Sequence, residues 1–111
     1  MRVEGKVKAK SFEARLSRDE SEIRDGIEAS YINIQLSHDD WRNRGVLITT
    51  DITGDEVILE NVECNNVTGR KVVILSGCRI RGKVRYRETV QVNPSSRLES
   101  EPEKIEQEML E

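Results

Sequence analysis

One stretch of this chain alternates strictly between two kinds of residue. From Cys78 to Arg87 every second residue is apolar or glycine, and every residue between them is arginine or lysine. Successive side chains of a β-strand point to opposite faces, so this spacing predicts strand structure with one buried and one cationic face. A helix would scatter the same cations around its circumference. The predicted buried set is Ile74, Cys78, Ile80, Val84 and Tyr86.

Weaker copies of this stretch recur on both sides of it. Residues 3–10 and 80–87 share a pattern of an aliphatic residue, any residue, Gly-Lys-Val and then alternating basic residues. Four short apolar strands are predicted to begin at Val46, Val57, Val73 and Val90. Their starts lie 11, 16 and 17 residues apart. A repeat of roughly 16–18 residues is typical of one turn of a parallel β-solenoid, in which equivalent aliphatic side chains stack.

The predicted fold is therefore all-β: a single-domain parallel β-helix, or β-solenoid, expected to be right-handed. Residues 1–98 form the β-helix domain, with an irregular N-terminal part in 1–45 and regular turns in 46–98. Within the irregular part, 17–26 is predicted to be a short helix or an ordered loop, because Ser17 and Glu20 fit a capping box. Residues 99–111 are predicted to be an acidic C-terminal helix or tail, for which Ser100 and Glu103 supply a second capping box.

The charge is unevenly distributed. The net charge is −3, yet residues 66–97 carry 8 basic and 1 acidic residue, between two acidic blocks. Five of these cations form the alternating row: Arg79, Arg81, Lys83, Arg85 and Arg87. The favoured interpretation is a solvated surface that acidic residues of adjacent turns, such as Glu56, Glu60 and Glu63, neutralise. The alternatives are a face for an acidic protein or for a polyanion. Nucleic acid is disfavoured, because Tyr86 shares the parity of the buried residues and is not free to stack on bases.

No motif for catalysis or for a cofactor is found. The chain has no phosphate-binding glycine loop, and its two cysteines, Cys64 and Cys78, lack the paired spacing of a zinc site. Both are predicted to be small buried residues. The cluster 38–40 (His-Asp-Asp) is predicted to be a solvated turn, so we expect no enzyme activity, metal or cofactor. No apolar run approaches the ~20 residues of a membrane span. Without a signal-peptide pattern the predicted location is the cytoplasm, and membrane association is left open.

Residues 67–98 combine a glycine, an apolar strand, Gly-Cys, Val-x-Tyr, Val-x-Val and a Pro-Ser corner. This order resembles the polymer-forming, bactofilin-like family, and the resemblance extends from residue 46 to about residue 98. It implies a β-helical cytoskeletal protein that assembles without nucleotide into filaments and scaffolds other machinery.

The ends of a solenoid expose unpaired backbone and apolar side chains, which must be capped or covered by another subunit. The predicted self-assembly residues are Val3, Val7 and Phe12 at one end and Val90, Val92 and Leu98 at the other. The expected function is a non-enzymatic structural protein that forms end-to-end polymers or oligomers as a cytoskeletal scaffold. The alternative is a capped monomeric or dimeric adaptor that binds an acidic protein or polyanion through its basic face. In that alternative, segment 17–26 and the acidic tail are the caps.

Overall fold

The chain folds as a parallel β-solenoid. The computed structural model describes residues 2–3, 5–16, 20–36 and 45–105, and this part of the chain contains strands and no helix. Twelve strands form two six-stranded sheets in which neighbouring strands are parallel. Five turns each contribute one short and one long strand, and a sixth turn is partial. The predicted all-β solenoid is thus confirmed.

The two sheets differ in the length of their strands. The short sheet consists of β1 (Arg2–Val3), β3 (Glu20–Ile23), β5 (Val46–Thr49), β7 (Val62–Cys64), β9 (Arg79–Ile80) and β11 (Arg97–Leu98). The long sheet consists of β2 (Val7–Leu16), β4 (Ile27–Leu36), β6 (Asp51–Leu59), β8 (Asn66–Ile74), β10 (Val84–Val92) and β12 (Glu103–Lys104). In each sheet the strands are stacked in chain order, as a solenoid requires.

The register between turns defines the length of each turn. Val7 pairs with Ile27, Ile27 with Ile52, Ile52 with Val67, and Val67 with Val84, which are steps of 20, 25, 15 and 17 residues. The predicted repeat therefore holds for the later turns. The N-terminal part expected to be irregular also contributes strands in parallel register, and its irregularity lies in longer turns.

The core lies between the sheets and consists of stacked columns of aliphatic side chains. Ile52 and Val67, in register on adjacent strands, are both 0% exposed. Strands in a sheet lie about 4.8 Å apart, so equivalent side chains contact each other along the axis of the solenoid. β-Branched residues suit such columns because they pack well on a pleated surface. The predicted buried residues Ile74, Cys78, Ile80 and Val84 all lie in this core, whereas Tyr86 is half-buried against it.

Each complete long strand bends near its middle. In β6, Asp55 and Glu56 both face outward, while Ile52 and Val57 on either side are buried. Two consecutive outward residues mark a corner, where the alternation changes parity. Gly54 precedes this corner in β6 and lies in register with Gly69 of β8. The corner divides each of these strands into two sides of the solenoid.

Asparagine side chains connect the turns at other corners. Asn61 has a positive φ of 54° and its Nδ2 donates a hydrogen bond to the carbonyl oxygen of Gly45 (3.1 Å). Asn66 donates from Nδ2 to Oδ1 of Asp51 (2.9 Å) and accepts the backbone N–H of Lys83 at Oδ1 (2.9 Å). Asparagine tolerates the left-handed region and hydrogen-bonds locally, which explains its use here.

Two segments, predicted as a helix or a loop (17–26) and as a helix or a tail (99–111), contain short strands where the structure describes them. Within 17–26, residues 20–23 form strand β3, and residues 17–19 lie outside the described part. Within 99–111, residues 103–104 form strand β12 in place of the capped helix, and residues 106–111 lie outside the described part. A helix of about two turns is marginal by itself, while a neighbouring strand offers ladder hydrogen bonds along an existing edge.

One part of the predicted repeat is out of register. The prediction aligned Val57 with Val73, whereas in the structure Val57 pairs with Val72. Val72 is buried and Val73 faces outward, half-buried. The copy around Ile80 also belongs to the short sheet, so it is not equivalent to Ile52, which begins the long strand.

Candidate functional site: the ends of the solenoid

The N-terminal end of the solenoid is an open strand edge. β2 lies at one margin of the long sheet and β1 at one margin of the short sheet. Along β2, Val7, Phe12 and Ala14 are half-buried and pack against the core from one side only. This end therefore presents both unpaired backbone groups and apolar side chains among the described residues.

The C-terminal end is stepped. The partial sixth turn places β12 beside Arg85 and Tyr86 only, so residues 87–92 of β10 have no strand partner on that side among the described residues. Val90 is half-buried there and Val92 is 37% exposed, whereas Val72, the register partner of Val90 on the adjacent strand β8, is 0% exposed. The last two thirds of β10 thus form an open edge among the described residues, and this edge carries the apolar side chains of Val90 and Val92.

The first and last complete turns are equivalent in both sequence and position. Residues 3–10 lead from β1 into β2, and residues 80–87 lead from β9 into β10. Val7 and Val84 occupy the same column of the long sheet through the intervening pairs. The sequence pattern shared by residues 3–10 and 80–87 therefore occurs in the first and the last complete turn.

The six predicted self-assembly residues all lie on strands at the two ends. Val3 is in β1, and Val7 and Phe12 are in β2. At the other end Val90 and Val92 are in β10. Leu98 differs from these five, because it lies in β11 and covers Ile80 of the preceding turn.

The cationic row does not lie on one strand. Arg79 is in β9 of the short sheet, Arg85 and Arg87 are in β10 of the long sheet, and Arg81 and Lys83 lie in the turn between them. The five cations were expected on one strand face, but they lie on two strands and on the turn that joins these strands. The alternation of buried and exposed residues is nevertheless kept, because Ile80 and Val84, which flank the turn, are both buried in the core. The cations consequently surround a corner of the solenoid.

Neutralisation of this row is partial. Arg81 pairs with Glu63 (Nη2 to Oε1, 3.3 Å) and Lys83 with Glu103 (Nζ to Oε2, 3.4 Å), both at the surface. Exposed pairs of this kind contribute at most about 1 kcal/mol each. Glu56, which was expected to neutralise the row, is 4.0 Å from Arg70, outside it. In the part of the chain that the structure describes, Arg79, Arg85 and Arg87 make no ion pair.

Both cysteines are free and buried, as predicted. Burial raises the pKa of the Cys64 thiol to about 12, and burial also raises the pKa of Cys78 above its ordinary value. The Sγ of Cys78 lies 3.4 Å from the carbonyl oxygen of Leu59. Both thiols therefore stay protonated near neutral pH and behave as small core residues.

Three further sequence predictions concern the 38–40 cluster, metal binding and membrane spans. The cluster 38–40 lies outside the described residues. Within the described ranges, no three His, Cys, Asp or Glu side chains come together in a way that would hold a metal ion. A search of the same ranges finds no helix with the length and apolar character needed to cross a membrane.

Comparison with known proteins adds one similarity. The chain is 40% identical over 57 residues to the uncharacterized protein YhbF of Bacillus subtilis (strain 168). That stretch is 51% of this chain but 24% of YhbF, so the chain matches about a quarter of its relative's length. No protein-family model matches the chain. No solved structure matches it either.

Proposed function

We propose that this chain is a non-enzymatic structural protein that self-assembles end to end into polymers or oligomers without nucleotide. The observation that carries the proposal is a pair of strand edges with apolar side chains, one along β2 and one along residues 87–92 of β10, that no further strand covers among the described residues. The bactofilin-like resemblance over residues 46–98 supports a cytoskeletal scaffold as the role of the assembly.

Open edges of this kind favour pairing with another chain. An exposed strand edge offers a row of unpaired N–H and C=O groups as a template. Apolar residues such as Phe12 and Val92 would be buried by a second copy, at roughly 1.5–3 kcal/mol for each fully buried side chain. Association costs an estimated 4–15 kcal/mol, so several such residues and the new backbone hydrogen bonds are needed together. The two ends supply six candidates.

The test is the size distribution of the purified chain without nucleotide, by sedimentation velocity and electron microscopy. Phe12→Asp and Val92→Glu place a charge at opposite ends, so each should strongly reduce assembly. Thr53→Glu is the matched control, because Thr53 is exposed on the central strand β6, away from both ends. Thermal unfolding by circular dichroism verifies that every variant is folded. A wild type that stays monomeric at all concentrations would refute the proposal.

A second candidate is the adaptor that binds an acidic protein or polyanion. It is favoured by Arg79 and Arg85, which are exposed and without an ion pair among the described residues. Polyglutamate is a suitable acidic probe. Saturable binding that Arg79→Glu with Arg85→Glu abolishes, by a chain that remains monomeric, would select this function over assembly.

A further inference from the structure

We propose that residues 97–105, here called the terminal strap, form a detachable cap that a second copy of this chain displaces from the C-terminal end. The inference rests on the proposed function and adds its regulation. It concerns how much of β10 is available for pairing, because the terminal strap now covers residues 84–86 at the start of that edge.

Few contacts hold the terminal strap. It pairs at four positions, namely Arg97 with Arg79, Leu98 with Ile80, Glu103 with Arg85 and Lys104 with Tyr86. By contrast β10 pairs with β8 at seven positions. Three of its backbone N–H groups donate hydrogen bonds to the preceding turn: Arg97 to the carbonyl oxygen of Cys78 (2.8 Å), Glu99 to that of Ile80 (3.0 Å) and Ile105 to that of Tyr86 (2.8 Å). Short ladders of this kind open more readily than the rest of a fold.

The side chains of the terminal strap are mostly in solvent. Only Leu98, Pro102 and Ile105 are half-buried, and the rest of the strap is exposed. Its ion pair between Lys83 and Glu103 (3.4 Å) leaves these side chains 51% and 48% exposed. Such a pair is screened by salt. The strap therefore has little apolar burial with which to resist displacement.

Buried apolar residues lie beneath the terminal strap. Leu98 lies on Ile80, which is 0% exposed, and Pro102 precedes Glu103 at the position in register with Val84, which is 1% exposed. Detachment would uncover Ile80 and Val84. They would then join Val90 and Val92 in one apolar turn along the end of the solenoid.

The step created by the terminal strap prevents a second copy from covering that turn. Above residues 84–86 the strap already occupies the place of the next strand, whereas residues 87–92 have no strand beside them on that side within the described ranges. The two levels differ by one strand spacing, about 4.8 Å. An edge that lies at a single level along the axis of the solenoid, such as that of β2, cannot contact both levels at once. Full pairing with β10 therefore requires the terminal strap to leave.

A reversible lock tests this directly in the full chain. Arg85 and Glu103 are register partners on adjacent strands and both are exposed. Their Cα atoms should lie about 4.8 Å apart, which is within the range for a disulfide. The double variant Arg85→Cys with Glu103→Cys should lock the strap when oxidised and release it when reduced, while Cys64 and Cys78 stay buried. Thiol labelling verifies the lock, and the single variants are controls.

The expected result is smaller assemblies in the oxidised state and recovery on adding reductant, by sedimentation velocity. The opposite perturbation is Glu103→Lys, which places two cations together at Lys83. It should increase hydrogen exchange at the amides of Arg97, Glu99 and Ile105 and lower the concentration needed for assembly by up to about fivefold. Glu101→Lys changes the net charge equally at an exposed position whose side chain makes no ion pair among the described residues, and should do neither.

The outcomes separate the two ideas. Equal assembly in the oxidised and reduced states would overturn the terminal strap as a cap and leave end-to-end assembly intact. Larger assemblies on locking would also overturn it, because the strap would then be part of the binding surface. If no variant assembles in any state, the proposed function itself fails.

Discussion

Gly54 and Gly69 lie in direct register on successive turns, at the corner where the long strands bend. A Cβ added to Gly69 would lie 3.0 Å from the carbonyl oxygen of Gly54, closer than an ordinary contact. A Cβ added to Gly54 would collide with the carbonyl oxygen of Ala29 on the turn before. The close approach of the backbones at this corner therefore depends on the absence of a side chain.

Gly54→Ala is expected to lower the free energy of unfolding by about 1–3 kcal/mol, the usual cost of overpacking, because the obstructing atom belongs to the backbone. Gly69→Ala should lower the free energy of unfolding by less, because a Cβ at Gly69 would lie farther from its nearest backbone oxygen than a Cβ at Gly54 would. Gly5→Ala is the matched control, because a Cβ at Gly5 would meet nothing within 4 Å. Urea unfolding measures all three. Equal midpoints for the Gly54 and Gly5 variants would contradict the account of the corner.

Substitutions at Val72 and Val73 test which of the two residues is in register with Val57 in the core. Val72 is 0% exposed in the core column, whereas its neighbour faces outward. Val72→Ala should lower the free energy of unfolding by about 2 kcal/mol, through lost burial and the cavity that remains. Val73→Ala makes the same chemical change and should cost clearly less. The reverse order in denaturant unfolding would favour the register originally predicted from the sequence.

The buried thiols predict how stability depends on pH. Because the pKa of Cys64 in the folded chain is about 12 and that of an unfolded thiol is roughly 8.5, the unfolded state loses its proton first as the pH rises. The stabilisation is complete below about pH 8.5 and is lost progressively up to about pH 12. At pH 10 the loss from this thiol should be about 2 kcal/mol.

Denaturant unfolding at pH 7.5 and at about pH 10 measures this loss, with Cys64→Ala as the control. The variant should be less stable at pH 7.5 because of its cavity, but its further loss towards pH 10 should be smaller. Some loss will remain, since the pKa of Cys78 is also raised. An unchanged pH dependence in the variant would show that Cys64 does not carry the effect.

Local pattern predicted the strands of the regular turns well. The alternation from Cys78 onward correctly placed Cys78, Ile80 and Val84 in the core, because the period of two is a property of the strand itself. The pattern did not predict the corners within the long strands. At a corner two consecutive residues face outward, which shifts the alternation by one residue. The sequence therefore aligned Val57 with Val73, whereas Val57 pairs with Val72 in the structure.

Of the candidate site, the sequence predicted the residues at the two ends but not the terminal strap. The end residues could be named because a solenoid stacks its turns in chain order, so its first and last strands lie at the two ends. The terminal strap was missed, because residues 97–105 carry no strand pattern of their own. Its strands exist because β9 and β10 offer them an edge, a signal absent from the local sequence.

The sequence by itself determined that this chain stacks aliphatic residues in a β-solenoid, since the alternation and the repeat are satisfied by that packing and by no helix. Only the tertiary structure decided which copies share a column, where the cations of residues 79–87 lie and which part of the last complete turn no further strand covers among the described residues. Register depends on the number of residues in each corner, and a single residue added or removed there moves every following side chain to the other face. For the alternating stretch from Cys78 to Arg87, the sequence therefore predicted which residues face the core. It did not predict that the stretch turns a corner between β9 and β10.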